Sequence, residues 1–166
     1  MALTNYTELQ ASIASWLNRE DLDAFIPDFI ALFEADFERE VRVREMLVRA
    51  ATVPAADEPR ENLPADLLEL KAIQFNASSV RVPQFVTPAW LRNYRRHSAS
   101  GSGVPNFYTI EGGEFLFDVT PSDVELEILY YQKLPRLSGS VASNWLLAAH
   151  PDIYLYGALV HSAPFL

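Results

Sequence analysis

Four groups of residues have types that could do chemistry. The three histidines, His97, His150 and His161, are the only neutral nitrogen ligands for a metal, and the chain has no cysteine, so thiolate sites and disulfides are excluded. On a straight helix His150 and His161 would share nearly one face, but at about 1.5 Å per residue they stand roughly 16 Å apart and one ion cannot bridge them. Gly101-Ser102-Gly103 does not have the spacing of a nucleophile elbow, and no lysine or helix start follows it as in a phosphate loop. Glu34, Asp36, Glu38 and Glu40 could supply an acid and a base only if their surroundings separated their pKa values, and a solvated helix face accounts for them more simply. Arg92, Arg95, Arg96 and His97 form the one compact basic cluster, suited either to gripping an acidic neighbour or phosphate or to an ordinary charged loop. Trp90 and Tyr94, a turn earlier, read as packing residues before they read as a stacking platform. No catalytic residue, no metal site and no cofactor is expected; an interaction protein remains.

The elements that must hold these residues follow from hydrophobic period. Asn5 and Glu8 have the spacing of a capping box, and Tyr6, Leu9, Ile13, Trp16 and Leu17 recur at helical steps, which predicts a helix over 5–17. "NREDLDAF" reads as a polar connector. Pro27 suits the first turn of a second helix whose stripe of Phe29, Leu32, Phe33, Phe37 and Val41 runs to about Arg44, with acids on its opposite face. Eight of the eleven prolines then lie between Pro54 and Pro135, and the helical period gives way to short β-type runs. "LLELKAIQF" and "SSVRVPQFV" predict strands, with Pro83 placing the second at an edge or bulge. Thr87-Pro88 opens a short helix. "YTIEGGEFLFDV" predicts a hairpin turning at Gly112-Gly113, and "DVELEILYYQKL" a third strand pairing antiparallel after the turn at Pro121-Ser122-Asp123. "RRHSASGSGVP" reads as a mobile surface loop near 95–105. Beyond Leu137 only Asp152 is charged, so that segment needs a cover.

Composition bounds the partners. The 166 residues carry −9, and the first forty hold nine acids against Arg19 and Arg39. Such a surface argues against tight sequence-independent DNA binding, which needs several cations on phosphates. The opening "MALTNYTELQ" lacks the basic and apolar regions of a signal peptide. The apolar stretch from Trp145 to Val160 is interrupted by His150-Pro151-Asp152, short of the roughly 18 residues of a membrane span, so a soluble chain with no membrane partner is expected.

The order of "YTELQASIASWLNREDLDAFIPDFIALFEADFEREVRVREM", "LPADLLELKAI", "YTIEGGEFLF" and "LEILYYQKLPRLS" followed by "NWLLAAHPDIYLYGALVHSAPFL" resembles the head-to-tail adaptor (connector) proteins of tailed bacteriophages over nearly the whole chain. The resemblance implies a structural virion protein assembled in the host cytoplasm. It would form a ring, commonly of twelve copies, docked beneath the portal, joined to tail or nozzle proteins and surrounding a channel that genomic DNA passes without sequence-specific binding. Relatives usually continue past the equivalent of "GALVHSAPFL" with a more polar helical stretch. A tail-completion or stopper protein is the nearest alternative, and a small hydrolase or carbohydrate-binding module a more distant one.

The expected architecture is α+β. An α-helical part of residues 1–46 with 141–166 would be a bundle of N- and C-terminal helices, and 47–140 a β-rich antiparallel insertion. The interface residues expected are Trp145, Tyr154 and Tyr156 on the last segment, with an unsatisfied Tyr154, Tyr156, Leu159 and Phe165 surface buried by assembly, and Arg92, Arg95 and Arg96 near the loop.

Overall fold

A computed structural model describes residues 3–55, 58–98 and 101–166. The architecture is α+β, with helices at both ends of the chain and antiparallel sheet in the middle. By its internal contacts the chain divides into two compact units, Met1–Met46 with Lys133–Leu166, and Leu47–Gln132. The stretch 133–140 falls with the helices because Leu134 and Leu137 are buried there and the Leu137 amide is held by Glu34.

In the helical unit, α1 (Tyr6–Leu17) starts at Asn5, whose Oδ1 accepts the Glu8 N–H at 2.9 Å. The returning Glu8 carboxylate closes on the Thr4 amide and hydroxyl, at 2.8 and 2.7 Å, one residue before the position a capping box predicts. Leu9 and Ile13 are buried, but Trp16 is 59% exposed although the stripe placed it inside. The polar connector is a 3-10 helix, Glu20–Phe25, pinned by buried Leu22.

Helix α2 (Ile26–Glu40) stops short of Arg44. Val41 is extended, and the Arg42 guanidinium donates to the carbonyls of Glu38 and Val41, so a side chain satisfies the C-terminal carbonyl that another turn would have used. After the short α4 (Trp145–Ala149), α5 (Pro151–Ser162) crosses α2. The crossing is close because residue 157 is glycine: a Cβ there would fall inside the Phe33 ring.

The middle unit is a β-sandwich. Strands β1 (Leu47–Thr52), β10 (Glu125–Gln132), β3 (Leu67–Asn76) and β4 (Val80–Arg81) form one sheet in that order. The second sheet holds β2 (Arg60–Asn62), β8 (Glu114–Phe117), β7 (Phe107–Glu111) and β5 (Gln84–Phe85). Ile73 and Phe75 of the first sheet share a core with Tyr108, Phe115 and Phe117 of the second, and the Phe75 and Phe117 rings meet edge-on at 5.2 Å. The β7–β8 hairpin turns at Gly112 and Gly113 with φ of 61° and 90°, which favours glycine at both positions.

The third strand does not join that hairpin. β10 pairs with β1 and β3 in the other sheet. After Phe117 the chain bends at Asp118, whose carboxylate accepts the amides of Asn106 and Phe107, and β9 (Thr120–Pro121) then pairs parallel with β6 (Ser102–Gly103), which diverts it across the sandwich. The expected loop 95–105 is likewise shorter. Arg95, Arg96 and His97 close helix α3 (Pro88–His97), and Ser102 and Gly103 form a strand. Residues 99 and 100 of that loop lie outside the described residues.

Candidate functional site

The acids of α2 do not all face solvent. Glu34 is 1% exposed and Glu38 is buried too, one step past the Phe33 and Phe37 stripe. Glu34 Oε1 accepts the Leu137 amide and the Tyr154 hydroxyl, both at 2.9 Å. The Tyr154 oxygen in turn accepts from Asn144 Nδ2 at 2.6 Å, and the same amide donates to the Pro135 carbonyl at 2.7 Å. Asn144 Oδ1 caps α4 through the Leu147 N–H. Burial pushes the Glu34 carboxyl above its ordinary value, against the lowering effect of its two hydrogen bonds, and burial likewise raises the Tyr154 phenol. The network fastens the returning chain to α2. Glu34 Oε1, the Tyr154 hydroxyl and both ends of the Asn144 amide are thus occupied by protein partners, which gives the network a structural role.

Tyr154, expected at an interface, is buried in the lone chain. Its ring is wholly buried within its own unit, edge-on to Phe33 at 5.1 Å, because its hydroxyl is needed between Glu34 and Asn144. Tyr156, two residues on, is 55% exposed and touches the exposed Trp16 edge-on at 5.9 Å. Trp145 is half-buried beside Phe37.

Trp145 also lines a groove of about 450 Å³ in the helical unit. Its floor is Phe33, Phe37, Leu146 and Ile153, and Asp36, Glu40 and Glu45 stand around it without any Lys or Arg in the lining. Asp36 is paired with Arg39 and with His161 Nε2 at 3.0 Å, and Glu45 lies 3.7 Å from Arg44. The three carboxylates are at least partly exposed, so the groove offers an apolar seat with an acidic rim. His150 borders it, His161 bonds Asp36, and His97 sits at the end of α3. Among the described residues no group of three His, Asp or Glu could hold a metal ion.

In the sandwich unit, α3 is capped by Thr87 and packs on β7 through a stack of Trp90 on Tyr94, 5.0 Å apart, both against Phe107. The three arginines do not act as one cluster. Arg92 is tied to Glu111 at 2.8 Å, Arg95 is half-buried and Arg96 projects into solvent. Beside them runs an apolar strip that no motif marks. Val80, Val82 and Phe85, on and between the edge strands β4 and β5, are 61%, 73% and 57% exposed, and Trp90 next to them is 43% exposed. Phe85 and Trp90 wall one shallow cleft. The alternation in "SSVRVPQFV" did hold this signal: apolar residues on both sides of an edge-placing proline must face water or a partner.

Among the described residues no helix is long and apolar enough to cross a membrane. Comparison with curated proteins finds no match. The family model described as SU10 adaptor protein matches residues 4–166, from the Asn5 cap of α1 through the whole sandwich to the end of the last helix. That family is one of phage structural adaptors. The match spans both units described above, and the chain belongs to the SU10 adaptor protein family.

Proposed function

We propose that this structural phage adaptor is the subunit of a head-to-tail ring, of twelve copies, which docks beneath the portal, connects it to the tail and surrounds the DNA channel. The observation that carries the reading is the amount of large apolar surface the lone chain leaves in water. Trp16, Leu32, Tyr156 and Val160 are 50% or more exposed on the helical unit, and Val80, Val82 and Phe85 on the sandwich. A chain of an adaptor family with such patches on each unit is suited to burial by sister copies and neighbours.

The charge supports a passage that does not bind its cargo. At −9 per copy a ring is strongly anionic, and acids lining a bore would repel DNA within about a Debye length, near 8 Å at physiological salt. Confinement would guide the DNA and repulsion would keep it from adhering. Assembly takes place in the host cytoplasm and the product resides in the virion.

The test is the mass of the purified chain alone and after mixing with its portal. A ring that forms on the portal supports the reading. A chain that stays monomeric and ignores the portal overturns it.

A further inference from the structure

We infer that the contact between neighbouring copies is heterologous: the apolar ridge of Val80, Val82, Phe85 and Trp90 on one copy's sandwich seats in the acid-rimmed groove of the next copy's helical unit. The inference rests on the ring reading and names the surfaces that would build it.

Two observations choose a second copy as the occupant. The first is charge. The groove lining holds Asp36, Glu40 and Glu45 and neither Lys nor Arg; Asp36 and Glu45 have Arg39 and Arg44 as outside partners, and Glu40 is the acid left to a visitor. The ridge lies in residues 72–110, which hold Arg81, Arg92, Arg95 and Arg96 and neither Asp nor Glu; Arg92 is tied to Glu111, which leaves Arg81, Arg95 and Arg96 to give the ridge its positive charge in a chain whose overall charge is −9. Arg81 lies between the two exposed valines, and its guanidinium donates to Asn106 Oδ1 at 3.3 Å. An apolar ridge carrying positive charge and an apolar groove carrying negative charge are the two halves of one complementary contact. The second is that one chain carries both halves. A contact that joins two different patches of the same chain propagates from copy to copy, and it closes into a ring when the rotation per step divides a full turn.

The groove also suits what the ridge presents. Its floor is aromatic and aliphatic, its volume is about 450 Å³, and Phe85 and Trp90 are the large side chains offered to it. Seating them would cover the outer edges of β4 and β5, each the last strand of its sheet.

Because the protein has no cysteine, the contact can be read by crosslinking without background. Val82→Cys and Ile153→Cys place one thiol on the ridge beside Phe85 and one in the groove, both at exposed side chains outside the buried core. The two variants, mixed with portal and treated with a short bismaleimide, should give a covalent dimer containing one chain of each. A chain carrying both substitutions should give a ladder ending at the ring. Glu40→Arg should cut the crosslinked fraction at least tenfold, and adding Arg81→Glu to the ridge partner should restore it. Rings that assemble without the mixed crosslink, or a Val82→Cys chain that crosslinks only to itself, would overturn this contact while leaving the ring reading in place. Absence of any assembly on the portal would remove both.

Discussion

Tyr154→Phe isolates the polar network from the packing around it. The ring stays against Phe33, while the hydroxyl that donates to Glu34 and accepts from Asn144 is lost. A hydrogen bond to a charged group contributes about 1.5–3 kcal/mol and a neutral one about 1, so the variant should lose about 3 kcal/mol when Glu34 is ionised. Since two units need not unfold together, hydrogen exchange is the suitable assay, and the α5 amides should exchange about a hundredfold faster than in the parent. The pH dependence follows from Glu34. Its folded pKa is raised by burial, so ionisation is disfavoured by folding, and stability falls as pH rises from the ordinary carboxylate value through the folded one. The Tyr154 hydrogen bond works against that rise, and removing it makes ionisation costlier still. The gap between parent and variant should therefore be small at low pH, where Glu34 is protonated, and widen above its folded pKa. Exchange within a few-fold of the parent at every pH tested, or a gap that does not change with pH, would refute the network as the fastener of the last helices.

Other substitutions report on single joints. Asn144→Ala removes the α4 cap and the donor to Pro135 together and should cost at least 2 kcal/mol by chemical denaturation. Gly157→Val puts a branched side chain where Phe33 leaves no room, and should lower the melting temperature of the helical unit by an amount corresponding to about 2–3 kcal/mol of overpacking. Asp118→Ala strips the acceptor from the Asn106 and Phe107 amides and should cost about 2 kcal/mol, seen as loss of exchange protection in β7 before α2.

Periodicity located α1 and α2, because each buries one stripe and their starts carry Asn5 and Pro27. The β7–β8 hairpin was legible in Gly112-Gly113 for the same local reason. What failed was non-local. The alternation in "DVELEILYYQKL" specifies a strand but not its partners, and the diversion by Asp118 and the β6–β9 pair decides those. Glu34 and Tyr154 misled in opposite senses. A glutamate one step off an apolar stripe reads as solvated and a tyrosine near the C-terminus as exposed, and only the fold shows that each buries the other. The arginines looked like a patch in sequence, yet Glu111, nineteen residues on from Arg92, claims one of them.

The central claim is that the apolar surface of the lone subunit is covered in a ring at the head-to-tail joint. A cryo-electron microscopy reconstruction of that joint measures it directly. The account predicts a closed ring of this chain under the portal, with Phe85 and Trp90 inside subunit contacts and carboxylates facing the channel. A joint in which those side chains face solvent, or in which the bore is lined by neutral or basic residues, would contradict it.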